Sequence, residues 1–202
     1  MSTATIDSKD IQLEETTTIL EAAKQEGIWI PTLCHNEHVT PFGGCRVCLV
    51  EVASSAAPER TRLLPACSSR MEKGLIVTTD SERVKAARRF VIELLLARCP
   101  EAEEIRELAE RLGVSAEGDS LDVVGRYLLQ RAPRREQTDC VLCSLCVRVC
   151  AEVTERHAIS FSKRGIERKV KTPFDKISET CIGCGSCAYV CPTNTITIEE
   201  AN

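Results

Sequence analysis

The chain has 202 residues, a formal net charge of −4 and 28% charged residues, which is the composition of a folded globular protein. Only 3% of the residues are aromatic and the charge is mildly acidic, so the composition argues against a nucleic-acid surface. The N-terminus lacks a basic segment followed by an apolar one, and the longest apolar run, residues 90–97, is too short to span a bilayer. We therefore expect a cytoplasmic protein with no secretory signal and no membrane span.

Residues 1–80 predict a small α+β domain. Its expected elements are a hairpin of residues 4–7 and 10–13 with its turn at Ser8-Lys9, a helix over 18–26, and strands over 46–52 and 75–78. Gly27 stands where the helix should end, because glycine readily adopts the left-handed backbone of a helix C-terminus. Residues 53–58 are predicted to form a surface turn.

This first domain holds four cysteines with the spacing C-x10-C-x2-C-x18-C. They are Cys34, Cys45, Cys48 and Cys67. One long loop would wrap a cluster, the last ligand would come from a distant element, and Gly43-Gly44 would allow close backbone approach. The spacing favours a [2Fe–2S] cluster, with a structural zinc site of four thiolates as the alternative.

Residues 81–135 are predicted to form a helical connector. The expected helices are one that begins with a capping box of Thr79 and Glu82, one between Pro100 and Gly113, and one over residues 121–131. Their apolar stripes are Val84, Ala87, Phe90 or Val91, and Leu94 in the first helix, and Ile105, Leu108 and Leu112 in the second. The connector holds the single cysteine outside the quartets, Cys99.

Residues 136–202 contain an internal duplication of the motif C-x2-C-x2-C-x3-C. The two copies are Cys140, Cys143, Cys146 and Cys150, and Cys181, Cys184, Cys187 and Cys191. In such a run three sulfurs bind one cubane and the fourth points to the other cluster. The spacing thus predicts two [4Fe–4S] clusters with crossed ligands: Cys140, Cys143, Cys146 and Cys191 for one, and Cys150, Cys181, Cys184 and Cys187 for the other.

Two further features leave alternatives open, and one absence bears on catalysis. Gly183 and Gly185 in the second copy either let backbone N–H groups approach the cluster or permit tight turns. The basic stretch over residues 164–171 either offsets cluster charge, docks a partner, or forms a solvated hairpin tip. The sequence shows no motif for binding NAD(P), flavin or an organic substrate, so the chain is expected to be non-catalytic by itself.

Four segments together resemble a known family: residues 27–35, 44–52, 139–150 and 181–187. They are similar to the large iron–sulfur subunit of respiratory complex I and its relatives. These include the diaphorase-side small subunit of NAD(P)-linked [NiFe] hydrogenases and the N-terminal regions of [FeFe] hydrogenases and NAD-dependent formate dehydrogenases. The resemblance implies a β-grasp [2Fe–2S] ferredoxin domain and a bacterial-type two-cluster ferredoxin domain.

The chain departs from this family in the connector. Many of the relatives hold a further [4Fe–4S] cluster, with one histidine and three cysteines, just after a helix that resembles residues 90–96. Here that helix leads to Cys99 and then to a charged helix without cysteine. One ligand cannot hold a cubane, so we expect this cluster to be absent and Cys99 to be a buried or idle thiol.

The resemblance implies an electron-transfer subunit of an oxidoreductase complex. Its partners would be a flavin- and NAD(P)-binding iron–sulfur subunit and a catalytic subunit, a [NiFe] hydrogenase being the first choice, with ferredoxin as a further partner in an electron-bifurcating enzyme. The chain stops where some relatives continue into a catalytic domain, so catalysis is expected in other subunits. The alternatives are a subunit of a formate dehydrogenase or other reductase, a free-standing polyferredoxin, and a zinc-stabilised interaction module.

Overall fold

The N-terminal part of the protein is a mixed five-stranded sheet with one helix. The computed structural model describes residues 3–12, 17–114 and 138–198. The elements of the sheet region are β1 Thr3–Ile6, β2 Lys9–Gln12, α1 Ile19–Gln25, β3 Leu49–Ser54, β4 Ala57–Pro65 and β5 Leu75–Thr78. The strand order is β2-β1-β5-β3-β4, in which β1 and β5 are parallel and the other pairs are antiparallel.

The predicted hairpin is present, but its turn lies one residue earlier than expected. Asp7 and Ser8 form the turn, with φ of 47° and 68°. A two-residue turn that matches the twist of the strands needs positive φ at both positions, and aspartate tolerates this conformation better than most residues. The turn prediction at Ser8-Lys9 was therefore wrong by one residue.

Helix α1 confirms the predicted helix and its ends. Thr18 Oγ1 accepts a hydrogen bond from the Glu21 amide at 3.2 Å, and Glu21 Oε2 accepts one from the Thr18 amide at 2.7 Å. This reciprocal pair satisfies two of the amides that a helix N-terminus leaves open. Gly27 follows the helix with φ of 70°.

The N-terminal core lies between α1 and one face of the sheet. It includes the fully buried side chains Ile6, Ile19, Val50, Val52 and Val77. These aliphatic residues alternate along β3 and recur at helical spacing in α1, so each element contributes one apolar face. Their burial supplies the hydrophobic stabilisation of this region.

Two strand predictions in this region need correction. Strand β3 begins at Leu49 rather than at residue 46, because Arg46 has φ of 63° and belongs to the cysteine loop. The predicted surface turn over residues 53–58 contains only a short turn at Ser55-Ala56, and β4 follows it at once. Strand β4 is an edge strand whose first half is exposed, so no apolar alternation marks it in the sequence.

Helix α2 runs from Glu82 to Arg98 and packs against β3. Its N-cap is Ser81, whose Oγ accepts from the Val84 amide at 3.2 Å, so the predicted capping box of Thr79 and Glu82 was wrong. The Thr79 amide instead donates to Asp7 Oδ1 at 2.8 Å. That bond ties the end of β5 to the first hairpin.

The buried face of α2 matches the predicted one only in part: Val84 is buried and Val91 packs against the second core, as expected. The buried residues are Val84, Arg88, Ile92, Glu93 and Leu96, whereas Phe90 and Leu94 are exposed. Arg88 is buried because its Nε and Nη2 donate to the Leu49 carbonyl at 3.0 and 2.7 Å. A charged side chain thus takes a core position that a hydrophobic pattern does not reveal.

Helix α3, Glu103–Arg111, packs on α2 and builds a second core. Ile105 is buried, Leu108 and Leu112 are partly buried, and Gly113 follows with φ of 66°, as the sequence predicted. The helix begins three residues after Pro100 because a short turn intervenes. The predicted helix over residues 121–131 lies outside the described residues.

The C-terminal region has little regular structure. Its elements are α4 Leu145–Glu152, β6 Ser160–Ser162, β7 Lys169–Lys171 and α5 Ser186–Tyr189. Strands β6 and β7 form an antiparallel hairpin, and most of the basic stretch over residues 164–171 lies at its exposed tip. In the described part of the chain, no helix combines the length and apolarity needed to cross a membrane.

Candidate metal centres

The four N-terminal cysteines come together beside the sheet. Cys45 and Cys48 lie in the loop before β3, Cys67 follows β4, and Cys34 belongs to the loop after α1. Cys48 Sγ and Cys67 Sγ are 3.4 Å apart, and the Cys45 amide donates to Cys34 Sγ at 3.4 Å. Three of the thiols are buried and Cys45 is partly buried. The loop and the distant strand end therefore meet as the spacing predicted.

Crowding of these thiols separates their pKa values. The pKa of Cys34 is lowered because the Cys45 and Cys67 thiols donate hydrogen bonds to its sulfur. The pKa values of Cys45 and Cys67 are raised by the same hydrogen bonds and by burial. Four thiolates at this spacing would repel one another unless a positively charged metal core lay between them. The donor set thus fits a metal cluster.

Close packing around the predicted diglycine loop explains its composition. Gly43 has φ of 63°, and a Cβ there would lie 2.7 Å from Ser68 Oγ. A Cβ on Gly44 would lie 2.2 Å from Cε1 of Phe42. The left-handed backbone favours glycine at position 43, and a side chain at position 44 would require the Phe42 ring to move.

The first C-terminal cysteine set is largely buried. Burial raises the pKa of Cys143 to about 11, and the charges of the Cys191 and Cys140 thiols raise it further. Burial likewise raises the pKa of Cys146 to about 12, and the thiols of Cys143, Cys140 and Cys191 add to this shift. Cys191 therefore lies close enough to the first motif to act on both buried thiols. We call Cys140, Cys143, Cys146 and Cys191 the inner set.

The remaining cysteines form a more exposed group. Cys181 and Cys184 are exposed, and Cys187 and Cys150 are partly buried. Burial raises the pKa of Cys187, and the charges of Cys184 and Cys150 also raise it. Cys150, the last cysteine of the first motif, therefore also lies near the second motif. We call Cys150, Cys181, Cys184 and Cys187 the outer set.

The two motifs share a backbone conformation, although the residues that adopt it differ between them. Leu142 and Gly183 occupy equivalent positions with φ of 54° and 67°, and Ser144 and Gly185 have φ of 69° and 73°. The glycines of the second copy therefore meet a turn requirement that the first copy meets with strained residues. This favours the tight-turn interpretation of Gly183 and Gly185.

Polar groups around the inner set also fit an iron–sulfur cluster. Ser144 Oγ is buried and has no hydrogen-bond partner among the described residues, and a cluster sulfide could accept from it. The pKa of Cys191 is lowered: burial acts to raise it, but hydrogen bonds from the backbone of Thr193, Thr195 and Ile196 prevail. Thiolates surrounded by N–H and O–H donors are typical of iron–sulfur sites.

Within the described ranges, no group of three or more His, Cys, Asp or Glu side chains is arranged to hold a single metal ion.

The N-terminal set and the inner set share one apolar cluster. Its buried members are Cys34, Val39, Cys143, Leu145 and Val149. Two arginines reinforce the junction: Arg98 Nε donates to the Cys140 carbonyl at 2.8 Å, and Arg148 Nη1 donates to the Cys34 carbonyl at 3.1 Å. Sequence reasoning missed both arginines, because their acceptors are backbone atoms far away in the chain.

Cys99 lies in the second core, away from the polar surface. It is fully buried, in the apolar cluster that contains Ile92, Leu96 and Ile105. Its burial was predicted and is confirmed. The absence of a cluster in the connector stays a prediction.

Comparison with known proteins defines the class of the molecule. Residues 1–82 match the 2Fe-2S iron-sulfur cluster binding domain family, and residues 139–195 match the 4Fe-4S dicluster domain family. The chain is therefore an iron–sulfur protein with these two domains, which confirms the predicted α+β fold class. The predicted boundaries at residues 80 and 135 stay predictions.

Two curated relatives show more closely which kind of iron–sulfur protein the chain resembles. The chain is 35% identical to the NADPH-Fe(3+) oxidoreductase subunit alpha of Geobacter sulfurreducens over 97% of its length and 24% of that protein's. It is 34% identical to the NADP-reducing hydrogenase subunit HndD of Solidesulfovibrio fructosivorans over 99% of its length and 36% of that protein's. It thus spans only a quarter to about a third of these two curated relatives.

A solved structure covers nearly the whole chain. A chain of the NAD+-reducing [NiFe]-hydrogenase in the H2-reduced state superposes with a TM-score of 0.75 and 26% identity, covering 96% of this protein and 86% of that chain. The protein is thus related to iron–sulfur subunits of NAD(P)-linked oxidoreductases, as the family resemblance implied.

Proposed function

We propose that this chain relays electrons in a cytoplasmic NAD(P)-linked oxidoreductase complex and performs no catalysis itself. It would carry one [2Fe–2S] cluster on Cys34, Cys45, Cys48 and Cys67, and two [4Fe–4S] clusters on the inner and outer sets. Bound clusters would supply one-electron chemistry, while the chain holds them, excludes water from the inner ones and sets their spacing.

The observation that carries this proposal is that the three cysteine sets differ in burial: the N-terminal and inner sets contain buried thiols, and the outer set contains exposed ones. The N-terminal set and the inner set share the apolar cluster of Cys34 and Cys143, whereas Cys181 and Cys184 of the outer set are exposed. Buried clusters side by side can exchange electrons within the chain, and an exposed one can exchange them with another protein. The arrangement supports a relay with an outlet at the outer set.

The packing of the two motifs supports the crossed ligand assignment. Helix α4, which carries Cys146 and Cys150, contacts helix α5, which carries Cys187, and Val190, next to Cys191, packs against the apolar cluster that contains Cys143. These are the neighbours that crossed cubanes need. A crossed pair places the two cubanes next to each other, which favours fast electron passage between them.

The surface near the outer set supports a role in a complex. Phe174, Ile177 and Tyr189 are 95%, 87% and 89% exposed, and Ile182, beside Cys181, is 60% exposed. These residues precede or flank the outer-set cysteines in the sequence, and several large exposed apolar side chains in one segment are typical of a protein–protein contact. A free-standing carrier would gain less from such a surface than a subunit would.

The similarity to hydrogenase and NADPH-linked subunits supports the choice of partners. We propose a flavin- and NAD(P)-binding iron–sulfur subunit on one side and a [NiFe] hydrogenase on the other, with ferredoxin as a further partner if the enzyme bifurcates electrons. A formate dehydrogenase or another reductase is the alternative catalytic partner.

Anaerobic purification tests the cluster assignment. We expect a brown protein with about ten iron atoms per chain and as much acid-labile sulfide as iron, the sum of one [2Fe–2S] and two [4Fe–4S] clusters. Electron paramagnetic resonance of the reduced protein should show both cluster types. A colourless protein that contains zinc and no iron would refute the proposal in favour of the zinc module.

Co-purification from the native cell tests the complex. We expect a flavoprotein and a hydrogenase subunit to elute with this chain in constant proportion. Recovery as a stable monomer with full clusters and no attached subunit would instead establish a free-standing polyferredoxin.

A further inference from the structure

Three side chains at the junction between the N-terminal cysteine loop and α4 make hydrogen bonds that no cluster motif requires. Arg148 donates from Nη1 to the Cys34 carbonyl at 3.1 Å and from Nη2 to the Thr40 carbonyl. The amide and the hydroxyl of Thr40 both donate to Glu152 Oε2, at 2.7 and 3.0 Å. We call Thr40, Arg148 and Glu152 the clasp.

The clasp is held in place from the side of the helix as well. Arg148 and Glu152 lie one turn apart on α4, with Nε and Oε1 separated by 3.5 Å, and the Arg148 side chain is only 11% exposed. The guanidinium also lies 5.5 Å from the ring centre of Phe42, a cation–π distance. A shielded guanidinium that bonds two carbonyls and a carboxylate is far better ordered than an isolated surface pair.

The location of the clasp gives it a link to all three cysteine sets. Cys34 belongs to the N-terminal set, while α4 carries Cys146 of the inner set and Cys150 of the outer set. Arg148 therefore joins the backbone of one proposed ligand to the helix that carries two others. Loss of the clasp would let the loop move relative to α4.

The charge of Arg148 matters in addition to its hydrogen bonds. Reduction of an iron–sulfur cluster adds a negative charge, and a nearby cation in partly dry surroundings stabilises that state. Glu152 has the opposite effect because its carboxylate disfavours added negative charge. The two members of the ion pair should therefore shift the potential in opposite directions.

We infer that Arg148 is a positioning residue for electron transfer, which clamps the Cys34 loop onto α4 and raises the reduction potential of the N-terminal cluster. The inference rests on the proposed function, since it needs a redox cluster on the N-terminal set. It concerns residues that are not cysteine ligands, and it predicts the direction in which Arg148 and Glu152 each shift the potential.

Redox titration of the full, iron-loaded chain tests the charge effect, with the [2Fe–2S] signal as the readout. In Arg148→Met we expect the ratio of reduced to oxidised N-terminal cluster at a fixed potential to fall about tenfold, which is about 59 mV for one electron. In Glu152→Gln the ratio should rise. Arg60→Met, which removes an exposed arginine of β4, is the matched control and should change nothing.

Arg148→Lys separates the effect of the Arg148 hydrogen bonds from the effect of its charge. Lysine keeps the charge but cannot bond two carbonyls in a fixed fork, so we expect a near-normal potential together with faster hydrogen exchange at the Thr40 amide. Because this variant is conservative, it and Glu152→Gln keep the test open if Arg148→Met fails to fold.

Two results would each overturn the inference alone: an unchanged potential of the N-terminal cluster in an iron-loaded Arg148→Met, or a potential in Glu152→Gln that stays unchanged or falls. Absence of iron from the unmodified chain would overturn the proposed function, and the inference with it. Iron content measured on every preparation tells these cases apart.

Discussion

Ser144 shows how much one residue can depend on a cluster. It sits between two cysteines of the inner set, adopts φ of 69°, and buries a hydroxyl without a partner in the described part of the protein. The left-handed backbone of Ser144 and its buried hydroxyl without a partner each cost folding free energy. Gly185 at the equivalent place in the second motif carries neither cost. A hydrogen bond to the cluster that we propose for the inner set would explain why a serine stands here.

We predict that Ser144→Ala lowers the midpoint potential of the inner cubane. Loss of one hydrogen bond to the cluster is worth about 1 kcal/mol, which corresponds to roughly 40 mV for one electron. Redox titration followed by electron paramagnetic resonance measures the shift, and the outer cubane in the same sample is the internal control. Equal potentials in Ser144→Ala and the unmodified chain would show that the hydroxyl does not reach the cluster.

Cys99 tests the absence of a cluster in the connector. Because Cys99 lies in an aliphatic core, Cys99→Ala should keep the full iron and sulfide content and lose on the order of 1 kcal/mol of unfolding free energy through the small cavity. Cys143→Ala, which removes a buried thiol of the inner set, is the matched variant and should lose iron. A drop in iron in Cys99→Ala would mean that the connector holds a metal.

Helix α1 is the element that positions the loop of Cys34. Its capping box fixes the start, its buried face packs on the sheet, and Gly27 ends it before the chain turns to Pro31 and Cys34. The cap is therefore remote from the thiols but sets where the loop begins.

We predict that Thr18→Ala lowers the unfolding free energy by about 1 kcal/mol at neutral pH, because Thr18 is buried and its hydroxyl caps α1. Urea titration measures this difference. Ser55→Ala, in an exposed turn, is the control and should change stability little.

The same cap predicts a pH dependence. Hydrogen bonds from the Thr18 backbone and hydroxyl hold the pKa of Glu21 below its ordinary value of 4.5, against a smaller opposing effect of burial. A carboxyl with a lowered folded pKa stabilises the protein above its unfolded pKa, and this stabilisation is lost as the pH falls through the folded value. Glu21→Gln should therefore be less stable than the unmodified chain at pH 7, and the gap should narrow below about pH 4. A gap that stays constant with pH would contradict this.

At the scale of the whole molecule, the two halves differ in how they stay folded. The N-terminal part has a five-stranded sheet and a continuous aliphatic core, whereas the C-terminal part has two short helices, a small hairpin and few buried residues. Binding of clusters to the folded form alone adds stability to whichever region holds them. The C-terminal half should depend on its clusters far more than the N-terminal half does.

Removal of iron tests this difference. After chelation under reducing conditions, we expect residues 138–198 to lose most of their protection from hydrogen exchange, while β3 and β5 keep theirs. Mass spectrometry of peptides from the exchanged protein gives both readings in one experiment. Equal loss of protection in both halves would show that the sheet also relies on its cluster.

The elements that sequence predicted well are those whose apolar residues follow one period. The predicted bounds of helix α1 and strand β5 lie within one residue of the observed ones. The ligand sets that the cysteine spacing indicates stay predictions. The missed elements lack that pattern: β4 is an exposed edge strand, and α2 buries Arg88 and Glu93 where a stripe of hydrophobic residues was expected. Strand β4 is paired with β3, and Arg88 is paired with the Leu49 carbonyl; such partners are invisible in a linear sequence. Both carboxylate oxygens of Glu93 are buried without a hydrogen-bond partner among the described residues, a position that no sequence pattern predicts.

The sequence by itself determined the class of this protein, an iron–sulfur protein with a 2Fe-2S domain and a 4Fe-4S dicluster domain, because cysteines at cluster spacing are local features of the chain. Only the tertiary structure decided how the three cysteine sets are arranged in space relative to one another. The shared apolar cluster, the clasp of Arg148 on the Cys34 loop and the exposure of Cys181 and Cys184 all join or separate residues far apart in the chain. Such contacts arise from packing of whole elements, which the spacing of cysteines does not encode.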